Sequence, residues 1–294
     1  MRLIDVKEFE TLSPFFKSAK GSRFAEWIMR MCSIDKVNYV YDHSKDYTGA
    51  EFAARLLNDL GVNYIIGNAE RLELLPKGAF ITVSNHPYGG LDGIIMIDLM
   101  AGIRPDYKFM VNRFLSMVKT MNENFIKVTP METKEHRVNY TSIKGIRETF
   151  IHLQEGHPIG FFPAGAVSVF SLKEMRVRDR EWQKSIVSLI HSAKVPIVPI
   201  RFFDKNSLFF YSLGLINWRI RLLRMPCELF NKHEQKPRIG IGKIISVEEQ
   251  EQFADARSLC KFLRKAVYEM PMPTSFVPRT ILNFPEKKLD IESA

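Results

Sequence analysis

Two residues suited to general-base chemistry lie close together in the stretch "VSNHPYGGLDG", residues 83–93. On one regular helix His86 and Asp92 would point about 120° apart, so they can meet only if the chain turns between them. Pro87 and a pair of glycines favour such a turn. An imidazole held by a carboxylate has a fixed tautomer and can take a proton from a hydroxyl. The alternative is structural: Asp92 caps the next helix and His86 lies in a turn.

Three further segments place turn residues or a cation at apolar, strand-like runs. In "FFPAGAVS", residues 161–168, an apolar run meets a turn whose backbone N–H groups could hold an anion or a developing oxyanion. The alternative there is an ordinary strand-ending turn. "VPIVPIRF", residues 195–202, contains Pro196 and Pro199, so this strand should lie at a sheet edge or carry a bulge. Arg113 in "FMVNRFL" is either an anion clamp or a solvated surface group.

The elements that must position these residues alternate along the chain. Residues 1–60 are predicted to be helical, with apolar residues at helical spacing. The patterns after them predict strands at 79–86, 107–112, 158–165, 195–203 and 238–245. They predict helices at 92–102, 141–156, 181–193 and 256–270. This alternation predicts a layered α/β fold, a mixed sheet flanked by helices with an N-terminal helical segment. The segments expected are 1–60, 61–250 and a C-terminal helix and tail at 251–294.

The charge balance predicts a negatively charged partner or surface. The 294 residues carry a formal net charge of +9, for which nucleic acid and anionic lipid are the usual counterparts. No stretch has the roughly 18 apolar residues of a spanning helix. The segment "WRIRLLRM", residues 218–225, is either a helix at a bilayer surface or a core helix with arginines reaching solvent. The highly charged segment 173–184 is expected to be a solvated face.

The order and content of the four segments resemble the glycerolipid acyltransferase family, the lysophosphatidic acid acyltransferase-like proteins. His86 and Asp92 match its histidine–aspartate block, and "FMVNR" matches its strand ending in arginine. "FFPAGAVS" matches the family's Phe-Pro-Glu-Gly-Thr-Arg-Ser block in part, and "VPIVP" at 195–199 matches the last block nearly letter for letter. The resemblance spans about residues 60–245. "NHPYGGLDG" looks most like a hemolysin-like bacterial branch that includes acyltransferases of ornithine and glycine lipids.

Two departures from the family pattern affect what the resemblance implies. Five residues separate His86 from Asp92 where the family usually has four, and the extra glycine can be absorbed by the turn. Ala164 and Val167 stand where the family has a glutamate and an arginine that help to hold a phosphorylated acceptor. Their absence leaves the histidine and aspartate in place but puts a glycerol phosphate acceptor in doubt.

The resemblance implies transfer of a fatty acyl group from acyl-ACP or acyl-CoA to the hydroxyl of a membrane lysolipid. His86 would deprotonate that hydroxyl and Asp92 would orient His86. Amides near Gly165 would stabilise the oxyanion, and Arg113 would bind an anionic part of the acceptor or donor. The residues implied in substrate binding are Arg113, Asn85, Pro163, Gly165, Ser168 and Pro199. No metal or tightly bound cofactor is implied.

The acceptor expected is a lyso-aminolipid of the glycine or ornithine type, in lipid biosynthesis. One alternative is a lysophosphatidic acid acyltransferase, in which Arg201 or Arg176 replaces the missing arginine. A second is a basic nucleic-acid-binding protein, which explains the charge but leaves the four segments unexplained. The acyltransferase interpretation predicts a lipid acceptor and an acyl carrier protein or CoA thioester as partners, and no nucleic acid. It also predicts a cytoplasmic protein, peripheral on the inner face of the cell membrane.

Overall fold

The computed structural model of the chain describes residues 3–4, 17–112, 115, 118–128 and 140–284. Its helices are α1 (Ala19–Met31), α2 (Ile34–Ser44), α3 (Gly49–Asp59), α4 (Gly90–Met96, continued by a π-helical turn at Ile97–Ala101), α5 (Tyr140–Gln154), α6 (Lys184–Ala193), α7 (Leu208–Ile216), α8 (Trp218–Phe230), α9 (Val247–Glu251) and α10 (Ala256–Tyr268). Its strands are β1 (Ile65–Gly67), β2 (Ile81–Ser84), β3 (Lys108–Asn112), β4 (Phe125–Val128), β5 (Ile159–Phe161), β6 (Val169–Ser171), β7 (Arg176–Arg178), β8 (Ile197–Phe202), β9 (Arg238–Ile241) and β10 (Phe276–Pro278).

The described strands form one eight-stranded sheet in the order β10-β1-β9-β8-β2-β5-β3-β4, and β6 and β7 form a separate antiparallel hairpin. From β8 to β4 all neighbours are parallel. β9 runs antiparallel to β8, and β10 runs antiparallel to β1. The predicted α/β fold with a mixed sheet flanked by helices is therefore confirmed. The carboxyl ends of β2, β3, β5 and β8 meet at one edge of the sheet, where α/β sites are usually built.

Apolar side chains cover both faces of the sheet. On β2, Ile81 and Val83 are fully buried in a core shared with α6 and α10, whereas Thr82 points to the other face. There its hydroxyl lies 2.6 Å from the hydroxyl of Tyr107. Burying an aliphatic side chain completely is worth about 1.5–3 kcal/mol. Because a slip of one residue would exchange the two faces, this burial holds the register that carries residues 85 and 86 to the site edge.

The prediction of helix over residues 1–60 agrees with α1, α2 and α3, whereas residues 1–2 and 5–16 lie outside the described residues. Helix α3 packs against the π-helical turn after α4. At the other end of the chain, β10 pairs with β1, so the C-terminal segment completes the sheet. The boundaries expected at residues 60 and 250 remain predictions.

The position of the double-proline strand differs from one expectation. β8 lies inside the sheet between β2 and β9, so the expected edge position is wrong. The ladder nevertheless changes at Pro199: Ile197 pairs with Ile245, but Ile200 pairs with Ile241. Three residues after β9 therefore face two residues of β8, which is a bulge. The bulge that was expected in β8 lies in the neighbouring segment. Pro199 itself only accepts, through its carbonyl, a hydrogen bond from the N–H of Gly242 over 2.8 Å. The bulge removes the need for an N–H donor at Pro199.

Candidate active site

The turn after β2 brings His86 and Asp92 together. The Nδ1–H group of His86 donates to Oδ2 of Asp92 over 2.9 Å. Asp92 is fully buried, whereas the side chain of His86 is 16% exposed. With the carboxylate accepting at Nδ1, the Nε2 atom carries a lone pair, and no hydrogen bond recorded in the described residues occupies it. The pair therefore has the arrangement of a general base with its orienting carboxylate.

The same carboxylate oxygen also caps helix α4. Oδ2 of Asp92 accepts from the backbone N–H groups of Tyr88 over 2.8 Å and of Gly89 over 3.0 Å. Gly89 is the N-cap of α4, and Asp92 is its third residue. The structural and the catalytic interpretation of this stretch thus hold together, because one oxygen atom serves both. The helix cap fixes the carboxylate to which the imidazole binds.

Burial dominates the electrostatics of Asp92. It raises the pKa of the Asp92 carboxyl above its ordinary value, because the charged form loses its hydration. The hydrogen bond and charge of His86 and the two backbone amides act in the opposite direction. The other oxygen, Oδ1, is buried and has no hydrogen-bond partner among the described residues. The carboxylate is thus held at a cost to folding, a common property of functional sites.

The imidazole ring of His86 is fixed by an aromatic contact. It stacks on Phe162 with ring centroids 3.9 Å apart and ring planes 17° from parallel. Phe162 in turn contacts Phe109 of β3 at 4.5 Å between centroids. The first residue after β5 therefore supports the base that follows β2. The sequence places Phe162 in a motif, but nothing in the pattern indicates that its ring positions His86.

A second carboxylate, Asp179, holds the backbone of His86. Oδ1 of Asp179 accepts from the backbone N–H of His86 over 3.2 Å and from the hydroxyl of Ser168. The N–H of Ser168 donates to the carbonyl of His86 over 2.8 Å. Asp179 is buried, so the expectation of a solvated face over residues 173–184 is wrong at this position. The charge pattern hid Asp179, because its neighbours Arg178 and Arg180 suggested a surface run.

The turn after β5 uses its glycine for conformation. Gly165 is exposed at φ +65°, and a Cβ there would lie 1.9 Å from Nε2 of Gln183. Its N–H donates to the carbonyl of Phe162 over 2.8 Å, so this amide is already engaged. Pro163 is buried and accepts from the N–H of Gln183 through its carbonyl, also over 2.8 Å. The turn is thereby attached to the segment before α6.

The remaining residues expected to bind substrate lie at different depths. Asn85 is buried and makes two hydrogen bonds with the backbone of Phe202, each 2.8 Å long. It thereby joins the ends of β2 and β8. Pro199 is buried within β8. Arg113 lies outside the residues that the structure describes, so its role remains a prediction.

Helices α7 and α8 form a hairpin over the catalytic turn. The hydroxyl of Tyr211 donates to the carbonyl of Pro87 over 2.8 Å, and Gly89 lies so close to Met225 that a Cβ would be 2.8 Å from its Sδ. Several large apolar residues of this hairpin are exposed: Leu208, Phe209, Leu215, Ile216, Trp218, Ile220, Leu222 and Leu223. Arg221, in contrast, is buried. The interpretation of 218–225 as a core helix with solvated arginines is therefore wrong.

A family model described as acyltransferase matches residues 16–273 of the chain. The chain belongs to the acyltransferase family. Two relatives of the enzyme are lyso-glycine lipid O-acyltransferases from Bacteroides thetaiotaomicron and Phocaeicola vulgatus. The first is 25% identical over 278 residues, which cover 91% of this chain and 97% of the relative. The second is 24% identical over 276 residues, which cover 91% and 95%. The predicted acyltransferase activity is thus confirmed.

The enzyme also resembles the crystal structure of the 1-acyl-sn-glycerophosphate acyltransferase PlsC from Thermotoga maritima. That match has a TM-score of 0.48 and 13% sequence identity, and it covers 84% of this chain and 86% of the other. Within the described residues of this acyltransferase, no helix has both the length and the apolar character that crossing a bilayer requires.

Proposed function

We propose that this acyltransferase moves a fatty acyl group from a thioester to the hydroxyl of a lyso-aminolipid, with His86 as the base. The contact between Nδ1 of His86 and Oδ2 of Asp92 carries the proposal, because it leaves Nε2 as the free basic atom. The similarity to two lyso-glycine lipid O-acyltransferases over nearly their whole length supports this acceptor class. The donor proposed is acyl-ACP or acyl-CoA.

The reaction requires one proton to be moved twice. The acceptor hydroxyl attacks the thioester carbonyl while its proton passes to Nε2 of His86, and Asp92 stabilises the resulting imidazolium. The tetrahedral intermediate collapses as the carbon–sulfur bond breaks, and the departing thiolate takes the proton back from His86. The products are an ester and a free thiol. No acyl-enzyme forms, because the acceptor hydroxyl is itself the nucleophile.

The oxyanion of that intermediate needs hydrogen-bond donors close to His86. The N–H of Gly165 is used by Phe162, so this amide is not one of them. The amides that follow in the same turn, those of Ala166 and Val167, are the donors proposed. Ser168, the next residue, is tied to the backbone of His86, which keeps this turn beside the base.

The acceptor proposed carries one carboxylate and no phosphate. Val167 reaches the catalytic turn, since a Cβ on Gly89 would lie 3.2 Å from its Cγ2, but it offers no charge where the resembling family has arginine. Arg176 pairs with Glu174 over 2.8 Å, and Arg201 donates to the carbonyl of Met270 over 2.7 Å. Arg176 is thus neutralised by a carboxylate, whereas Arg201 makes one bond to a backbone carbonyl. A phosphate with close to two charges prefers a free guanidinium fork.

The hairpin of α7 and α8 is proposed as the surface that meets the membrane. It exposes Ile216 by 77% and Trp218 by 54%, beside Arg219. Apolar side chains next to arginine and tryptophan suit the boundary between acyl chains and anionic headgroups. The net charge of +9 adds attraction to such a surface. The proposal places the enzyme on the inner face of the cell membrane, in the cytoplasm.

The function is tested with purified enzyme, one acyl-ACP or acyl-CoA donor, and two acceptors: N-(3-hydroxyacyl)glycine and lysophosphatidic acid. Mass spectrometry should detect the O-acylated glycine lipid as the faster product. His86→Ala should lower this rate by about a hundred- to ten-thousand-fold. His157→Ala is the matched control, because His157 makes a similar contact with Asp106, over 2.7 Å, just before β5. Faster turnover of lysophosphatidic acid would reject the acceptor, and full activity of folded His86→Ala would reject the base.

A further inference from the structure

A buried arginine, Arg221, lies beside the catalytic turn. Arg221 of α8 is only 5% exposed, and its Nη1 donates to the carbonyl of Ser168 over 3.0 Å. Its Nε atom is buried, and no residue that the structure describes forms a hydrogen bond with it. Among the ion pairs of the described residues there is none that includes Arg221. A cation so deep in a protein is costly unless an anion compensates it.

Neighbouring side chains hold this guanidinium in place. Gly214 of α7 makes room for its stem, because a Cβ there would lie 2.7 Å from Cδ of Arg221. The ring of Phe210 lies under the guanidinium, 5.4 Å from ring centroid to Cζ. These contacts suit a preorganised binding group, since little side-chain entropy remains to be lost when a ligand arrives.

The local charge is positive. Burial lowers the pKa of the Arg221 guanidinium, and the like charge of Arg180 lowers it further. The other arginines of α8 differ: Arg224 lies 3.8 Å from a carboxylate oxygen of Glu228, and Arg219 is exposed over the ring of Trp218. Arg221 is thus the arginine of this helix that combines burial with a positively charged neighbour.

The position of Arg221 connects it to the base. Ser168 accepts from Arg221 through its carbonyl and donates through its N–H to the carbonyl of His86. One residue therefore separates the guanidinium from the catalytic histidine. We propose that Arg221 binds the headgroup carboxylate of the acceptor and so sets the distance between that carboxylate and Nε2 of His86. This assignment rests on the proposed function.

The chemistry of the headgroup fits this position. In an N-(3-hydroxyacyl) amino acid, only a short amide linkage separates the carboxylate from the secondary hydroxyl. A planar guanidinium offers a carboxylate two parallel N–H donors. A single carboxylate neutralises the buried charge.

The test compares two acceptors that differ in charge alone: N-(3-hydroxyacyl)glycine and its glycinamide, each with the same acyl thioester in detergent. Wild type should prefer the carboxylate by about 10- to 100-fold in kcat/KM, the range expected for hydrogen bonds to a charged group. Arg221→Gln should bring this preference close to one, because KM for the carboxylate should rise far more than KM for the amide. Arg257→Gln, which removes an exposed arginine of α10, is the matched control and should keep the wild-type preference.

Each outcome decides one of two questions. Failure of wild type to acylate either acceptor would overturn the proposed function, and this assignment with it. Normal turnover by wild type together with an unchanged preference in Arg221→Gln would overturn the assignment alone. Should circular dichroism show Arg221→Gln to be unfolded, Arg221→Lys decides. It keeps the charge without the planar fork, so a several-fold loss of preference supports the assignment and an unchanged preference overturns it.

Discussion

The backbone N–H of Gly89 and the carboxylate of Asp92 are joined by a hydrogen bond of 3.0 Å, on the oxygen that also accepts from His86. Gly89 has a φ of +81°, a backbone conformation that residues other than glycine rarely adopt. Gly89 therefore has a conformational role in this turn. It turns the amide toward Asp92 and lets helix α8 approach through Met225.

Gly89→Ala should impair both folding and catalysis. The new Cβ would lie 2.8 Å from Sδ of Met225 and would strain the positive φ, at a cost of about 1–3 kcal/mol. The amide would move away from Asp92, so acyl transfer should fall with the free energy of unfolding. Chemical denaturation and steady-state kinetics measure the two effects. Gly90→Ala is the control, because nothing lies within 4 Å of its Cβ position; an equal loss there would contradict the explanation.

Asp92→Asn should abolish most activity without unfolding the protein. An asparagine keeps the shape and can still accept from the two amides, but it cannot stabilise the imidazolium of His86. We expect kcat to fall by about a hundredfold or more, within the range of general-base effects. Circular dichroism should show a native spectrum. An active Asp92→Asn variant would show that the carboxylate serves only as a helix cap.

The stability of wild type relative to Asp92→Asn should fall as the pH rises. Burial raises the pKa of Asp92 in the folded state above its value in the unfolded chain, so the stabilising contribution is present at low pH. It is lost as the pH rises through the raised pKa. Wild type should therefore lose stability relative to Asp92→Asn as the pH rises from about 4, the ordinary pKa of an aspartic acid, towards neutral. Urea denaturation of both proteins across that range measures the difference, and a constant difference would contradict the role of burial.

Asp179→Ala should lower kcat through the position of His86. The substitution leaves the backbone N–H of His86 and the hydroxyl of Ser168 without their shared acceptor, which costs about 1–3 kcal/mol of stability for buried donors. We expect kcat to fall about tenfold or more while KM for the thioester stays unchanged, since His86 is displaced and not removed. Glu174→Ala, on the same hairpin but exposed, should change neither quantity. Equal effects of the two variants would contradict the role of Asp179 in positioning His86.

Removing apolar side chains from the α7–α8 hairpin should weaken membrane binding. The double variant Ile216→Ser, Trp218→Ser should reduce flotation with anionic vesicles by about tenfold or more, because each buried apolar side chain contributes up to a few kcal/mol. Added salt should also weaken membrane binding by wild type, because each basic residue near the surface contributes about 1 kcal/mol of electrostatic attraction. Leu74→Ser is the control, because Leu74 is 67% exposed outside the hairpin. Equal binding of neutral and anionic vesicles would contradict the electrostatic part.

Local pattern predicted the elements that build the site edge. The alternation of apolar runs predicted β2, β3, β5, β8 and β9 together with α4, α5, α6 and α10. The sequence pattern did not predict β1, β4 and β10. Pairing with β1 makes β10 a strand. The sequence also did not predict the interior position of β8. Proline lacks one N–H donor, which favours a sheet edge, but a bulge in the segment after β9 accommodates this loss inside the sheet.

The sequence by itself determined the chemistry that is available: a histidine and an aspartate across a glycine turn, and a third block that lacks its acidic and basic residues. Only the tertiary structure decided which groups support that chemistry. Three supporting residues come from different segments: Phe162, Asp179 and Arg221. Their spacing along the chain does not indicate that they lie near His86. The contacts form because parallel strands end at one edge and because α8 packs on the catalytic turn. Burial there removes water from charged groups, so the fold alone determines whether a charge is solvated or held for a partner.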